Sequence, residues 1–200
     1  MSPGVRHGVR RAGVATQADG SEVVWSVADG RRGRRWRAVT RRGSLIASSL
    51  LLEVDPDGRP ARLELATAAG LLTLHPEPSG LLHGNAVTTG GVRHVTMAWS
   101  NDHELEFEPF AICGAVSAHR LGRSVPAGEG RTVPIAAIGV DLEIREVSRR
   151  YERLDTTSWQ IEGGDARTLV VDDRGLPAWP IPAGDRTGAV EWSLELDAQS

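Results

Sequence analysis

The sequence predicts an all-β fold with at most one short helix, in which an antiparallel meander curls into a spiral β-roll or open barrel. Apolar and polar residues alternate with a period of two in most segments, which is the pattern of half-buried strands. Turn signals such as Asp-Pro-Asp-Gly at 55–58 recur at roughly the 8- to 12-residue spacing of an antiparallel meander. No helical period interrupts them, and such a sheet must twist and cover one apolar face.

Seven strands are predicted before the middle of the chain, each bounded by turn residues. In the second of them Trp36 and Ala38 face one way and Arg35 and Arg37 the other. The strands are Glu22–Ala28, Arg34–Thr40, Ser44–Val54, 61–65, Leu71–His75, Leu81–Val87 and Val92–Trp99.

The stretch GVRHVTMAWSNDHELEFEPF at 91–110 is the centre of the prediction. It contains two alternating strands joined by SNDH, because Asn and Asp favour turns. Pro109 cannot donate to a sheet and should end the pairing. We expect Glu104, Glu106 and Glu108 to form a solvated face. If this strand lines a cavity instead, burial raises the pKa of these carboxyls and makes them proton-transfer groups.

The second half of the chain is less regular. Phe110–Leu121 is apolar, rich in small residues and without a clear period, which favours an irregular or helical insert. Three Pro and two Gly in LPAWPIPAGDRTG predict a loop, and a closing strand at 190–197 should turn Trp192 inward. The other strands are one or two in Ile135–Val147, then Arg149–Asp155, 159–161 and Thr168–Asp172.

Two hundred residues suit one domain with a sizeable core. We assign 1–21 to a flexible basic arm and 22–200 to a single β-roll domain. Residues 1–42 hold ten Arg and three acids, a net charge of +7 within a chain of net charge −3. All 23 basic residues are Arg, which we attribute to a bacterial genome of high GC content. The arm lacks the repeated aromatics of a base-stacking surface, so we expect a solvated segment and no nucleic-acid partner.

The cellular setting follows from composition. A single cysteine, Cys113, excludes an intrachain disulfide and fits a reducing cytosol. Residues 1–21 lack the apolar run of a signal peptide. The most apolar run, SLIASSLLLEV at 44–54, is about half as long as a membrane helix requires. We therefore expect a cytoplasmic protein with no stable membrane insertion.

From about Leu105 to Pro180, the order of sequence landmarks resembles that of the glycolipid-binding family of small bacterial domains. The matching pieces are LEFEPFA, AVSAHRLG, PAGEGRTV, DLEIREVSRRYERL and LVVDDRGLPAWP. The resemblance covers less than half of the chain and implies a spiral β-roll with a glycolipid ligand. Ala111 and Ile112 stand where the family has a Thr-Asn pair, so the resemblance bears on the fold more than on the ligand site.

Four side chains are the candidate catalytic residues: His83, His94, Asp102 and Glu106. A neutral His beside a carboxylate is the usual general base. His83 shares a strand face with Asn85, and His94 follows one hairpin later. Asp102 has the alternative role of capping its turn.

Metal ligands were sought among the histidines at 75, 83, 94 and 103, which fall on successive segments. Neighbouring strands can bring two such residues together. There is no His-x-His, no His-x-x-x-His and no second Cys, so we predict no metal site and no cofactor.

The expected ligand-binding residues are inward aromatic and apolar side chains with a few polar groups among them. Tyr151 with Arg149 suits an anionic head group, although the pair also suits a strand surface. The full set is Trp36, Asn85, Met97, Trp99, Phe107, Arg120, Arg149 and Tyr151.

Three functions are compatible with these features. The first is binding of a hydrophobic or amphipathic small molecule, of the lipid, polyketide or terpenoid class, in a pocket of the roll. The second is a small cyclase, isomerase or hydrolase of secondary metabolism that uses the same pocket with one His or carboxylate as acid or base. The third is an interaction module in which an exposed β edge forms a homodimer. The sequence does not decide between binder and enzyme.

Overall fold

The computed structural model describes residues 10–17, 19–107, 110–164 and 166–178, which form two β-sheets and a helix. The first sheet contains β1 Arg10–Thr16, β2 Glu22–Gly30, β3 Gly33–Arg42, β4 Leu45–Val54, β5 Pro60–Thr67, β6 Gly70–Glu77, β7 Leu81–Thr88 and β8 Gly91–Ala98. The remaining elements are β9 Glu104–Phe107, α1 Ala111–Leu121, β10 Gly130–Ile138, β11 Ile144–Arg153, β12 Ser158–Glu162, β13 Arg167–Val171 and β14 Pro177–Ala178.

The first sheet is an eight-stranded antiparallel meander in which every strand pairs with the next one in sequence. Period-two alternation places one set of side chains on the inward face, as Trp36 opposite Leu52 and Leu63 opposite Leu74 illustrate. All four are at most 1% exposed. The outward face carries the alternating polar residues together with exposed apolar ones such as Leu71, Val87 and Val92.

The second sheet is a curled half-barrel with the strand order β14-β13-β12-β11-β10-β9. Its strands are antiparallel except that β9 runs parallel to β10. A parallel pair requires a crossover connection, and α1 supplies it. The chain passes from the first sheet to the second between β8 and β9.

Helix α1 lies between the two sheets. Ile112, Cys113 and Val116 join the core of the first sheet, whereas Ala115 and Ala118 join a second core against the half-barrel. The helix is buried on several sides, so it needs no polar face, which explains why its sequence has no amphipathic period. Phe110 at its N-cap makes no side-chain capping bond.

The all-β fold class with one short helix is confirmed, and the predicted strands before residue 110 are present. One correction concerns the N-terminal arm: residues 10–16 form β1, which pairs along its whole length with β2 and buries Ala15. The sequence did not indicate this strand, because its arginines and Gly13 interrupt the alternation of apolar and polar residues. A second correction is that β10 begins earlier, at Gly130, and that β11 runs unbroken from Ile144 to Arg153, where the sequence predicts separate strands.

The prediction of a solvated face on β9 is wrong for Glu104 and Glu106, the two of its three glutamates that the structure describes. Glu104 is 0% exposed and Glu106 is 2% exposed. Their side chains are neutralised by arginines from later elements, described below, so the strand is buried on both faces.

The predicted strand at 190–197, including Trp192, lies outside the described residues, as do Glu108 and Pro109. The segment predicted as a loop from Leu176 onward begins with the two-residue strand β14. Over the ranges that are described, no helix combines the length and hydrophobicity needed to cross a lipid bilayer.

Candidate functional site

A recess of about 260 Å³ opens between the two sheets at one end of the first sheet. Its walls are formed by the β2–β3 turn, the β4–β5 turn, the C-terminal half of α1 and the turn before β14. The lining residues are Asp29, Gly30, Gly33, Arg34, Trp36, Val54, Asp55, Pro56, Gly58, Val116, His119, Arg123 and Gly175. Four separate parts of the chain thus meet around one concave surface.

Turn chemistry shapes the wall that the first sheet contributes. Gly30 pairs with Gly33, which leaves a two-residue connection in the β2–β3 hairpin. Gly33 has φ +114°, and a Cβ there would overlap the Val54 carbonyl oxygen, so only glycine lets β3 approach β4 this closely. Asp55 accepts a hydrogen bond from the Arg59 backbone N–H at 2.9 Å and fixes the next turn.

The inner wall of the recess is apolar. Trp36 is fully buried behind it, and its ring lies 6.1 Å from that of Trp25 at a tilt of 48°. Val54 from β4 and Val116 from α1 are each 6% exposed. These three side chains give the recess a rigid hydrophobic surface.

The Arg34–Asp29 ion pair forms one side of the rim. The Arg34 Nε donates to Asp29 Oδ1 at 2.6 Å, and Nη1 donates to the Arg174 carbonyl at 2.6 Å. The guanidinium carbon also lies 5.8 Å from the centre of the Trp36 ring. Arg34 therefore joins the two sheets, and Asp29 already compensates its charge.

His119 and Arg123 form the opposite side of the rim. The pKa of His119 is lowered by burial first, and then by the positive charges of Arg34 and Arg123; Asp172 and Asp29 oppose this in part. The imidazole is thus neutral at neutral pH. The Arg123 Nη1 makes a long hydrogen bond, 3.4 Å, to the Pro56 carbonyl, and no ion pair of Arg123 is present among the described residues.

Of the eight residues expected to bind a ligand, Trp36 alone lines this recess. Phe107 and Tyr151 fill the two cores, at 0% and 1% exposure. Met97 and Trp99 are partly buried against the first core, and the Trp99 ring stacks on His103 at 4.9 Å. These four stabilise the fold.

The remaining polar members of that set are engaged with other side chains. Asn85 Oδ1 lies 2.6 Å from His94 Nδ1 on the outward face of the first sheet. Arg120 forms an ion pair with Glu104. The Arg149 Nε donates to Glu106 Oε2 at 3.1 Å.

The four candidate catalytic residues do not come together. His94 is exposed and His83 is half-buried, on the outward face of β8 and β7. Asp102 lies in an exposed turn and accepts a hydrogen bond from Arg131 at 2.7 Å. Glu106 is buried and accepts a second bond from Arg167 at 2.8 Å. None of the four lines the recess.

A buried ionic cluster occupies the seam between β9, α1 and the half-barrel. Its two acids are Glu104 and Glu106, and its cations are Arg120, Arg149 and Arg167. Burial raises the pKa of Glu104 to about 7, although the neighbouring Arg120 acts in the opposite direction. The two glutamates and Arg149 are buried, whereas the Arg167 side chain is 34% exposed, and the cluster is best explained as a structural contact between these elements.

The residues of the recess that sequence reasoning missed are His119, Arg123 and Arg34. His119 lies 85 residues and Arg123 lies 89 residues after Arg34 in the chain, and no local motif links the three. The available signal was the pair of glycine-containing turns at 29–33 and 55–58, since Gly33 allows a close approach of two backbones and Gly58 has a positive φ of +83°.

The comparisons with known proteins bear on the fold. No family model matches the chain. No curated protein matches it. A solved structure of a DUF1089 family protein from Pseudomonas aeruginosa superimposes with a TM-score of 0.54 at 14% sequence identity, and the match covers 91% of this chain and 93% of that one. At that identity the likeness establishes a shared fold and carries no functional assignment.

Proposed function

We propose that this protein binds a small amphipathic molecule with a hydrophobic body and an anionic head group in the recess between the sheets. The observation that carries the proposal is the meeting of an apolar wall with a basic rim. Trp36, Val54 and Val116 provide the wall, and His119 and Arg123 provide the rim. Ligand sites commonly combine apolar linings with a few placed polar groups.

The charge balance favours an anion. Arg34 is compensated by Asp29, and Asp55 is engaged with its own turn, whereas the one hydrogen-bond partner of Arg123 within the described ranges is the Pro56 carbonyl, at a long 3.4 Å. A carboxylate or phosphate on the ligand would give Arg123 a charge-assisted partner. The neutral imidazole of His119 is able to donate or accept one further hydrogen bond.

The volume limits the ligand. Pockets for drug-sized molecules span about 300–1,000 Å³, and this recess has about 260 Å³. It therefore suits a short-chain molecule or one end of a longer lipid. The space between the sheets elsewhere in the described chain is filled by core side chains, so we place the ligand in the recess and not along the axis of the roll.

Isothermal titration with octanoate, octanol and octyltrimethylammonium tests this proposal. We expect octanoate to bind best and Arg123→Ala to weaken it by about tenfold or more, because a charge-assisted bond is lost. Arg62→Ala is the matched control, since Arg62 pairs with Glu64 on β5, outside the recess. If octanoate does not bind, or binds Arg123→Ala as well as wild type, the proposal is wrong.

An enzymatic use of the same recess is a second proposal, favoured by one observation. His119 is a titratable group of lowered pKa at the rim, which suits a general base. The role would belong to His119 and not to the four residues expected from the sequence. Turnover of a bound ligand that His119→Asn abolishes, with binding retained, would support it.

A homodimer is a third proposal. Leu71, Val87 and Val92 are cross-strand neighbours on the outward face, and they are 46%, 45% and 62% exposed. They lead to the edge strand β8. Light scattering of wild type and Val92→Glu tests the idea, and a monomeric wild-type protein would exclude it.

A further inference from the structure

Two histidines meet on the outward face of the first sheet. His75 on β6 lies directly opposite His83 on β7 in the antiparallel pair. Their ring centres are 5.4 Å apart at an angle of 71°. Opposite residues of an antiparallel pair project to the same face with Cβ atoms about 5 Å apart, so the two imidazoles share one position on the sheet surface.

A carboxylate completes the group. Glu77 follows His75 by two residues and lies on the same face. Its Oε1 is 3.9 Å from His83 Nδ1, and its Oε2 accepts a hydrogen bond from the Ser79 hydroxyl at 3.1 Å. The Ser79 bond leaves the other oxygen turned towards His83.

We propose that His75, Glu77 and His83 bind a divalent transition-metal ion such as Zn²⁺. One ligand atom from each residue lies within 4.8 Å of the other two. Two imidazole nitrogens and one carboxylate oxygen are the protein ligands of several zinc sites that keep a position open for water. Two nitrogen ligands select Zn²⁺, Ni²⁺ or Cu²⁺ over Ca²⁺ and Mg²⁺, which prefer oxygen.

The fold supports this geometry. All three residues lie on one hairpin, whose ladder pairs every residue from Gly70 to Glu77. The backbone therefore holds the ligands near their places before the metal arrives, which lowers the ordering cost of binding. Glu77 and His83 are half-buried and His75 is exposed, so water has access to the remaining coordination positions.

The sequence did not indicate this site, because its two histidines come together only through the register of the β6–β7 hairpin. The His75–His83 pairing arises from the hairpin register, and a search for His-x-His or His-x-x-x-His does not detect it. It is also independent of the recess, which lies between the sheets and shares no residue with it. The failure of either proposal leaves the other unaffected.

Titration of tag-free protein with ZnCl₂, followed by calorimetry, tests the site. We expect one Zn²⁺ per chain, with affinity reduced at least about tenfold in His75→Ala and in His83→Ala and reduced to a smaller extent in Glu77→Gln. His94→Ala is the matched control, because this neighbouring outward histidine is bonded to Asn85 and does not belong to the group. Circular dichroism confirms that each variant is folded.

Three results would overturn the assignment. Wild type that takes up no Zn²⁺ excludes the site. Equal affinity in the His75→Ala/His83→Ala double variant places any bound metal elsewhere. An unchanged affinity in Glu77→Gln, or a loss in His94→Ala, shows that the three named residues are not the ligand set.

Discussion

Glu104 on β9 and Arg120 in the last turn of α1 form an ion pair that is almost closed to solvent. The Glu104 side chain is 1% exposed and that of Arg120 is 13% exposed. Arg120 Nη1 also donates to the Asn101 carbonyl at 3.2 Å, so the helix is joined to the connection between the two sheets. Burial raises the pKa of Glu104 more than the positive charge of Arg120 lowers it, so the pKa is about 7.

The Glu104 contribution to stability should disappear as pH rises from about 4.5 to about 7. The unfolded chain releases this proton near pH 4.5, whereas the folded chain holds it until about pH 7, so the folded state binds more protons between these values. Urea denaturation of wild type and Glu104→Gln checks this. The unfolding free energy of wild type minus that of the variant should fall across this range, by on the order of 3 kcal/mol at most. A difference that does not vary with pH contradicts the expectation.

Removal of Glu106 should be strongly destabilising. The carboxylate accepts hydrogen bonds from both Arg149 and Arg167, and Arg149 is itself 8% exposed. Loss of one partner of a buried ion pair costs about 3–5 kcal/mol, and here Arg149 and Arg167 would both lose a carboxylate acceptor. We expect a loss of this size for Glu106→Ala in urea denaturation. Glu64→Ala, which breaks the exposed pair with Arg62, is the control and should change stability by less than about 1 kcal/mol.

Gly33 should not tolerate a side chain. Its positive φ and the adjacent Val54 carbonyl oxygen leave no room for a Cβ. Gly33→Ala should lower stability by more than about 2 kcal/mol, since backbone strain and overlap combine. Gly43 also has positive φ, +60°, but faces open space, so Gly43→Ala should cost only about 1 kcal/mol. Similar melting temperatures for the two variants would contradict the close approach of β3 and β4.

Cys113 should be unreactive in the folded protein. The side chain is 1% exposed, and burial raises the pKa of its thiol to about 12, so almost no thiolate forms at pH 8. Iodoacetamide labelling followed by mass spectrometry should give no modification in buffer and full modification in urea. Rapid labelling of the native protein would mean that α1 opens readily.

Strands β2 to β8 of the first sheet could be predicted from sequence because their information is local. Strand alternation and turn residues both act over a few positions, and each strand from β1 to β8 pairs with its neighbour in the chain. The weakest segments were those without local signals. Helix α1 has no capping residue, no acid in its first turn and no polar face, so residues 111–121 favoured an irregular or helical insert without a signal that fixed a helix.

The recess and the buried ionic cluster depend on contacts between residues that are far apart in the chain. They could not be predicted in the same way. Glu106 looked like a solvated residue because its neutralising partners, Arg149 and Arg167, lie 43 and 61 positions away. The recess likewise brings the β2–β3 turn against the end of α1. Charge pattern alone does not reveal which distant cations a buried acid will meet.

The sequential pairing of the first sheet has a consequence for how the protein is made. A ribosome that has released residues 10–98 has already delivered all eight strands that the structure describes in that sheet, and such local contacts form quickly. Its inward leucines, however, stay uncovered until Phe107, Ile112 and Val116 emerge. The interval between these two events is the period in synthesis when the nascent chain is most prone to aggregate and most in need of a chaperone.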